Sequence, residues 1–297
     1  MSERIEDLAA AFRRHLRAAN RAERTGVIYG QSITAFSAWL LAHGREVVAE
    51  EMTRAAIREW LAGLADVNSP QTVRTRFRGL FRFCRWCVDE GALAINPMVG
   101  MELPQAPPPV VPVLSDEQLS ALVKACRGKR FYDKRDEAVI RFLLDTGVRV
   151  SELCGLTQED MRLDEQMAIV TGKGSKVRPV YWGSRTGEAL DRYLRLRRAH
   201  RKTDREAFWL GERGALTVDG AREILRVRSE MAGIGHVHPH QLRHTFAHDY
   251  LMAGGQQLDL KRLAGWTSDA MLSRYGASAA DVRAREAARR LRRGDRI

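Results

Sequence analysis

Residues 238–251, HPHQLRHTFAHDYL, open the stretch around which the rest of the chain is organised; it continues through KRLAGW and ends at SRYG. His240 and Arg243 are three residues apart in it, so on a helix they would share a face. Pro239 suits the first turn of that helix, because the N–H that it lacks would be unpaired there, and the helix N-terminus adds positive partial charge. An anionic phosphate is the target that these groups share. A phenol such as Tyr275 beside two or three cations is the arrangement expected of a nucleophile that attacks a phosphodiester.

Length, composition and charge limit the classes to which the protein can belong. The 297 residues suit one large domain or two ordinary ones, and a hydrophobic content of 44% is enough for a core. The 49 Lys and Arg residues against 37 Asp and Glu residues give a net charge of +12, which indicates a polyanionic partner. Residues 1–104 carry +2 of this excess and the remainder carries +10.

Cysteine count and apolar patterning predict a cytoplasmic protein. Four cysteines in a chain of this size do not make a disulfide framework. The start, MSERIEDLAAAF, carries acids where a signal peptide needs an apolar run. No uncharged apolar stretch approaches the roughly 20 residues of a membrane span.

Residues 1–96 are predicted to form a domain of four helices, because apolar residues recur at helical spacing along them. The fourth helix has the clearest signals, with Ser69 as N-cap, Pro70 at the first helical position and an end at Gly91. It also carries a row of arginines at helical spacing, Arg74, Arg78, Arg82 and Arg85. Alone, such a row favours a solvated face. Next to a basic second domain, it favours a helix that faces a DNA groove or phosphates.

The fourth helix also contains a CxxC motif, Cys84 and Cys87, of the kind that binds zinc or exchanges disulfides. No second CxxC accompanies it, and both cysteines fall on or beside the apolar face. We therefore interpret them as buried core residues.

A proline-rich segment, 97–113, is predicted to link two domains. Residues 96–113 hold six of the nine prolines and cannot form a helix. Ser115 to Gln118 then form a capping box that opens a new helix. The predicted organisation is a helical domain over 1–96, the linker, a second domain over 114–276 and a basic tail over 277–297.

The second domain is predicted to mix helices with one hairpin. An apolar helix over 138–144 is closed by Gly147, and Arg149 follows at a turn between helices. Residues 166–182 alternate around a Gly-Lys-Gly turn, which predicts a β-hairpin with Lys173 at its tip. A lysine there could serve solubility only, and in isolation that interpretation is favoured. Helices are predicted near 186–198 and 217–232.

The ordered set of motifs resembles the tyrosine site-specific recombinases, the phage integrase family. The motifs are Arg149 in TGVRVSEL, Lys173 in TGKGSK, the HPHQLRHT segment, and LAGW nine residues before Tyr275. The resemblance implies a mainly α fold with a small antiparallel β-sheet. It comprises an N-terminal four-helix core-DNA-binding (SAM-like) domain and a C-terminal α+β catalytic domain, which together form a C-shaped clamp.

The resemblance also implies roles for these residues. Tyr275 would attack the scissile phosphate and form a 3′-phosphotyrosyl bond. Arg149 and Arg243 would hold the non-bridging oxygens. The remaining assignments are Lys173 as acid for the departing 5′-oxygen, His240 for proton transfer at the tyrosine, Trp266 as an indole N–H donor, and Glu152 and His244 as supporting residues.

One residue departs from the common pattern of the family. Most members have His where this chain has Trp266. A neutral indole cannot exchange protons, so more of the acid–base work falls on His240 and Lys173. Neither ATP, a metal ion nor another cofactor is expected, because the covalent intermediate conserves the energy of the broken strand.

The partners that the resemblance implies are double-stranded DNA with inverted-repeat core sites and a homotetramer on synapsed DNA. The tail 277–297 is a candidate contact between subunits. An accessory directionality factor and a nucleoid location in a bacterial or phage-infected cell are further expectations. Integration, excision and resolution through a Holliday junction stay open.

Several alternatives stay open as well. Tyr250 is a rival nucleophile, although its position in an apolar helix favours packing. Five histidines, 236, 238, 240, 244 and 248, have spacings that suit zinc, but Arg243 lies between them. A non-catalytic DNA-binding regulator would need only the charge and the arginine row. A type IB topoisomerase would relax DNA by the same phosphotyrosine chemistry.

Overall fold

The computed structural model describes residues 3–106, 112–172, 174–201 and 206–266, together with positions 268, 272, 284–285, 288–291 and 294. The chain divides into two compact units, Met1–Pro109 and Val110–Ile297. The domain limits expected from the sequence stay a prediction.

The first unit is helical. Its elements are α1 (Ile5–Ala18), α2 (Glu23–Ala42), a short 3₁₀ helix (Ala49–Glu51), α3 (Arg54–Val67) and α4 (Pro70–Asp89). Helix α4 begins as predicted, with the Ser69 hydroxyl accepting from the backbone N–H of Thr72 at 3.3 Å and Pro70 in the first turn. It ends before Gly91, whose φ of +81° is the left-handed conformation that follows many helices.

The core of the first unit forms between α1, α2, α3 and α4. The ring of Phe12 packs against those of Phe83 and Trp86, at centroid distances of 5.6 and 5.3 Å. Cys84 and Cys87 are both buried free thiols. Burial raises the pKa of Cys87 to about 12, so this thiol stays protonated at neutral pH. Their interpretation as core residues is confirmed.

The arginine row of α4 lies mostly on the solvent side of the helix. Arg78, Arg82 and Arg85 are exposed, and Arg74 is half-buried. Three guanidinium groups of the row are thus available to a partner along about two turns of one helix.

The second unit combines helices with a small sheet. Its elements are α5 (Asp116–Lys124), α6 (Phe131–Thr146), α7 (Val150–Cys154), β1 (Met161–Arg162), β2 (Met167–Thr171), β3 (Val177–Tyr181), α8 (Ser184–Arg198), α9 (Val218–Met231), α10 (Pro239–Met252) and α11 (Gln257–Ala264). The sheet is antiparallel in the order β1-β2-β3, and Ile169 on β2 pairs with Pro179 on β3. The predicted hairpin is present. Strand β1 was not predicted, because two residues are too short to show an alternating pattern.

The core of the second unit centres on α6, which packs against α8 and α10. Gly147 ends α6 in the left-handed conformation, with φ +57°, and a side chain at this position would collide with the ring of Phe246. This close turn places Arg149 at the N-cap of α7. Among the residues described, none of the helices is both long and apolar enough to cross a bilayer.

Candidate active site

The C-terminal end of α11 brings three arginines from separate elements together. The last carbonyl groups of a helix lack partners within it and form the negative end of its dipole, so they attract cations. The carbonyl oxygens of Leu263, Ala264 and Gly265 accept hydrogen bonds from Arg178 on β3, Arg243 on α10 and Arg149 before α7, respectively. The Arg178 Nε bond is 2.7 Å long and the Arg149 Nη2 bond is 3.3 Å long.

The carboxylate of Glu152 joins two of these arginines. Its side chain is only 2% exposed. Oε1 accepts from Arg149 Nη1 at 2.7 Å and from Arg178 Nη1 at 3.1 Å, while Oε2 accepts from the Arg149 backbone N–H and Arg178 Nη2, each at 2.8 Å. Burial alone would raise the pKa of Glu152, but these hydrogen bonds and the charge of Arg178 outweigh it, so the pKa lies below its ordinary value. Glu152 is therefore an anion held between two cations.

Arg149 is the member of this group that solvent reaches. Its side chain is 37% exposed, whereas that of Arg178 is 11% exposed. Because the Glu152 carboxylate and the Gly265 carbonyl hold one edge of the Arg149 guanidinium, the rest of the group keeps a defined orientation. Such a cation can receive an anionic oxygen from solvent without first being ordered.

Arg243 lies deeper than its sequence pattern suggests. It is 3% exposed and donates hydrogen bonds to the carbonyl oxygens of Gly147 and Ala264, which connects the ends of α6 and α11. His240 is three residues earlier on α10 and is exposed. Three residues turn a helix by about 300°, so the two side chains are neighbours at different depths. Nη1 and Nη2 of Arg243 each donate to a backbone carbonyl, which fixes the orientation of its guanidinium.

Trp266 and His244 lie in the same buried region. Trp266 is 5% exposed and its ring centroid is 5.6 Å from Cζ of Arg243, close enough for a cation–π interaction. His244 is 2% exposed on α10. The Trp266 ring thus packs against Arg243, and the expected roles of Trp266 as an N–H donor and of His244 as a supporting residue stay predictions.

Tyr250 packs where the apolar pattern of its helix predicts. Its ring centroid is 6.2 Å from that of Phe246, and it contacts a small cluster that contains Ala247, Leu251 and Leu260. These contacts support the packing role and weaken its candidacy as a nucleophile.

The histidines do not assemble as a zinc site would require. His236 Nε2 and His238 Nδ1 are 3.1 Å apart on the surface, and desolvation followed by the charge of His236 lowers the pKa of His238. Within the described ranges, groups of three or more His, Cys, Asp or Glu side chains placed to hold a metal ion are absent. The zinc alternative gains no support from these histidines.

Two predicted catalytic residues, Lys173 and Tyr275, lie outside the described residues, as does most of the tail 277–297. The described part of the hairpin comes close to the arginine pair. A Cβ added to Gly172 would lie 3.1 Å from Oε1 of Glu152. Strand β2, which precedes position 173, therefore ends beside Glu152.

Arg178 is the site residue that sequence reasoning missed. On β3 it alternates with exposed neighbours and, like the buried Val180, points inward. A cation at an inward position of a half-buried strand requires a buried partner, because an unpaired buried charge is costly. That signal is present in the KVRPV sequence, but the sequence alone does not identify Glu152 as the partner.

Both units match known families. Residues 112–281 match the model of the phage integrase family, and residues 8–92 match that of the N-terminal SAM-like domain of phage integrases. Together these matches cover most of the chain.

Curated relatives align over most of their length. Tyrosine recombinase XerC of Bacillus licheniformis is 31% identical over 253 residues, which is 83% of each chain. XerC of Pelobacter propionicus is 30% identical over 271 residues, 89% of this chain and 88% of the relative. Tyrosine recombinase XerD of Pseudomonas aeruginosa is 32% identical over 249 residues, 82% and 83% of the two chains.

Solved structures share the fold. The Tn1549 transposon integrase in complex with transposon right end DNA has a TM-score of 0.76 at 20% identity, over 98% of this chain and 99% of that chain. XerH bound to a palindromic difH substrate has a TM-score of 0.74 at 17% identity, over 91% and 81%. A lambda integrase tetramer bound to a Holliday junction has a TM-score of 0.70 at 16% identity, over 89% and 77%. At these identities the likeness concerns the fold alone.

Proposed function

The chain belongs to the phage integrase family and is a tyrosine recombinase, and we propose that it performs site-specific recombination with Tyr275 as the nucleophile. The observation that carries this proposal is the convergence of Arg149, Arg178 and Arg243 on the end of α11. Trp266 follows that end directly, and Tyr275 comes nine residues later in the chain.

Strand cleavage is a transesterification at phosphorus. The Tyr275 oxygen attacks the scissile phosphate, the bond from phosphorus to the 5′-oxygen breaks, and the 3′-phosphate becomes esterified to the tyrosine. His240 takes the phenolic proton and Lys173 gives a proton to the departing 5′-oxygen. Rejoining reverses these steps with the 5′-hydroxyl of another strand.

Fixed cations stabilise the charge that develops on the phosphate. Arg149 presents its exposed edge to one non-bridging oxygen, and Arg243 contributes a second guanidinium. Trp266 adds its indole N–H, while Glu152 and His244 hold these groups in place. The uncatalysed reaction is so slow that the site must supply about 20 kcal/mol, which one arginine cannot provide.

No cofactor takes part in the proposed reaction. One phosphodiester bond is exchanged for another, so ATP is not required, and the arginines and Lys173 carry the charge that a metal ion carries in metal-dependent nucleases. Cleavage should therefore persist in excess chelator.

DNA binding involves both units. The exposed arginines of α4 in the first unit, Arg78, Arg82 and Arg85 with the half-buried Arg74, contact a groove or its phosphates. The net charge of +12 supports a polyanionic partner. Two inverted core sites and a homotetramer complete the proposed assembly, with residues 277–297 as the contact between subunits. The same strand exchange yields integration, excision or resolution according to where the two sites lie.

The test is capture of the covalent intermediate on a nicked suicide substrate. The parent protein should become attached to the 3′ end, and peptide mapping should place the adduct on Tyr275. A Tyr275→Phe variant should bind DNA and form no adduct. Tyr250→Phe is the matched control and should form the adduct normally. An adduct on another side chain, or one that survives in Tyr275→Phe, would refute the proposed nucleophile.

A further inference from the structure

Arg178 uses every nitrogen of its guanidinium within the protein. Nε donates to the Leu263 carbonyl at 2.7 Å, and Nη1 and Nη2 donate to the two oxygens of Glu152 at 3.1 and 2.8 Å. The side chain is 11% exposed. A guanidinium held on three nitrogens has one orientation. With all three nitrogens engaged within the protein and little of the side chain exposed, Arg178 is poorly placed to hold a DNA phosphate.

The first connection of Arg178 leads to Arg149. Both oxygens of Glu152 are shared between these two arginines. If Arg149 alone faced the carboxylate, the pair would be neutral and its attraction for a phosphate would be weakened. With Arg178 present, the group of Arg149, Glu152 and Arg178 keeps a net charge of +1. Arg178 also holds the Glu152 carboxylate, which in turn orients Arg149.

The second connection leads to the segment that carries Trp266. Leu263 lies in the last turn of α11, and Gly265 follows with φ +64°. A Cβ at Gly265 would lie 3.0 Å from Cζ of Arg178, so the chain passes directly over the guanidinium. Arg178 therefore joins strand β3 to the start of the segment that continues from Trp266 to Tyr275.

We propose that Arg178 is a positioning residue for strand cleavage, which holds Glu152 and the end of α11 and thereby fixes the orientation in which Arg149 meets the scissile phosphate. This inference rests on the proposed role of Arg149. Arg178 acts through other groups and does not itself touch DNA.

The role predicts a separation between DNA binding and chemistry. An Arg178→Gln variant should bind the core site with an affinity within about threefold of the parent, because Arg178 lies behind the residues that face solvent. Its first-order cleavage rate on a suicide substrate at saturating protein should fall about 100-fold, since a displacement of about 1 Å in a reacting group costs that much. An Arg178→Lys variant keeps the charge but cannot reach both Glu152 and Leu263, so its rate should fall roughly 10-fold.

Arg192→Gln is the matched control. Arg192 on α8 donates to Glu137 on α6 at 3.0 Å with a side chain 31% exposed, so its loss also breaks an ion pair between elements of the second unit. We expect this variant to cleave at the parental rate. A double variant, Glu152→Gln with Arg178→Gln, should cleave no more slowly than the slower single variant, because both changes remove the same connection.

Cleavage by Arg178→Gln at the parental rate would overturn the inference. So would a fall in rate that is matched by an equal fall in DNA affinity, or that Arg192→Gln reproduces. If Arg178→Gln does not fold, the Lys variant decides by the same comparison of rate with affinity. An Arg149→Gln variant distinguishes failure of the proposed function from failure of this inference. If Arg149→Gln cleaves at the parental rate, the proposed role of Arg149 is refuted. If Arg149→Gln does not cleave but Arg178→Gln cleaves normally, only the role of Arg178 is refuted.

Discussion

Two carboxylates in the second unit, Glu152 and Asp136, are each held between two arginines, yet their surroundings differ. Asp136 on α6 accepts hydrogen bonds from Arg135 at 2.7 and 2.9 Å and from Nε of Arg228 on α9 at 2.8 Å, and Nη2 of Arg228 forms an ion pair with it at 2.7 Å. All three of these side chains are less than 10% exposed. In the Glu152 group, by contrast, Arg149 is 37% exposed.

The remaining hydrogen bonds show the same contrast. Around Asp136, Arg228 also binds Asp133 and the Ala125 carbonyl, and Arg135 binds the Leu210 carbonyl. These hydrogen bonds join groups within the second unit and hold α9 against α6. Around Glu152, by contrast, the guanidinium of Arg149 is partly exposed to solvent. The same arrangement of a carboxylate between two arginines is thus closed to solvent around Asp136, whereas around Glu152 it leaves one cation accessible.

Removing the Asp136 charge should produce the largest effect on stability. Asp136→Asn leaves Arg135 and Arg228 buried around a neutral amide, and breaking a buried ion pair in this way costs about 3–5 kcal/mol in the free energy of unfolding. Urea denaturation measures this loss. Cleavage per folded molecule should stay at the parental value, and a large fall in that rate would break the contrast between the two clusters.

Gly265 offers a smaller test on the active-site side. Gly265→Ala forces a side chain into φ +64° and against the Arg178 guanidinium, which should destabilise the fold by about 1–2 kcal/mol and slow cleavage. Gly233→Ala is the matched control, because Gly233 has φ +67° and no atom within 4 Å of an added Cβ. Gly233→Ala should lower the free energy of unfolding by a similar amount, because its backbone conformation is equally unfavourable for alanine, and it should cleave at the parental rate. Equal slowing in both variants would show that strain alone, without displacement of Arg178, explains the effect.

The pH dependence of stability gives the smallest and most specific effect. The pKa of Glu152 is lower in the folded chain than in the unfolded chain. Its ionised form therefore stabilises the fold above the ordinary carboxyl pKa of about 4.3, and this contribution disappears as the pH falls through the folded-state pKa. The difference in unfolding free energy between the parent and Glu152→Gln should be constant from pH 7 to about 5 and shrink below pH 4. A difference that stays unchanged down to pH 3 would show that folding does not lower the pKa of Glu152.

Most of the fold was predictable because its signals are local. The capping box at Ser115 is present, with the Ser115 hydroxyl accepting from Gln118 N–H at 3.3 Å. Thr217 caps α9, at the start of the helix predicted near 217–232. The hairpin follows from alternation around its glycines. The mainly α architecture with a small antiparallel sheet, an N-terminal SAM-like domain and a catalytic domain of the recombinase type is confirmed.

The site was predictable only in part. Arg149, Arg243 and Trp266 lie in one region, as the ordered motifs indicated. The burial of Arg243 and the involvement of Arg178 were not foreseen, because they depend on partners 21 to 96 residues away. The roles assigned to Lys173 and Tyr275 stay predictions, since both lie outside the described residues.

The sequence by itself determined the order and spacing of the arginine, lysine, histidine, tryptophan and tyrosine residues from which a phosphate site is predicted, because that spacing is a property of the chain alone. Only the tertiary structure decided which arginine faces solvent and which ones lie behind it. The physical reason is that exposure and orientation depend on hydrogen bonds to the end of α11 and to Glu152, and those bonds form between residues that are distant in sequence.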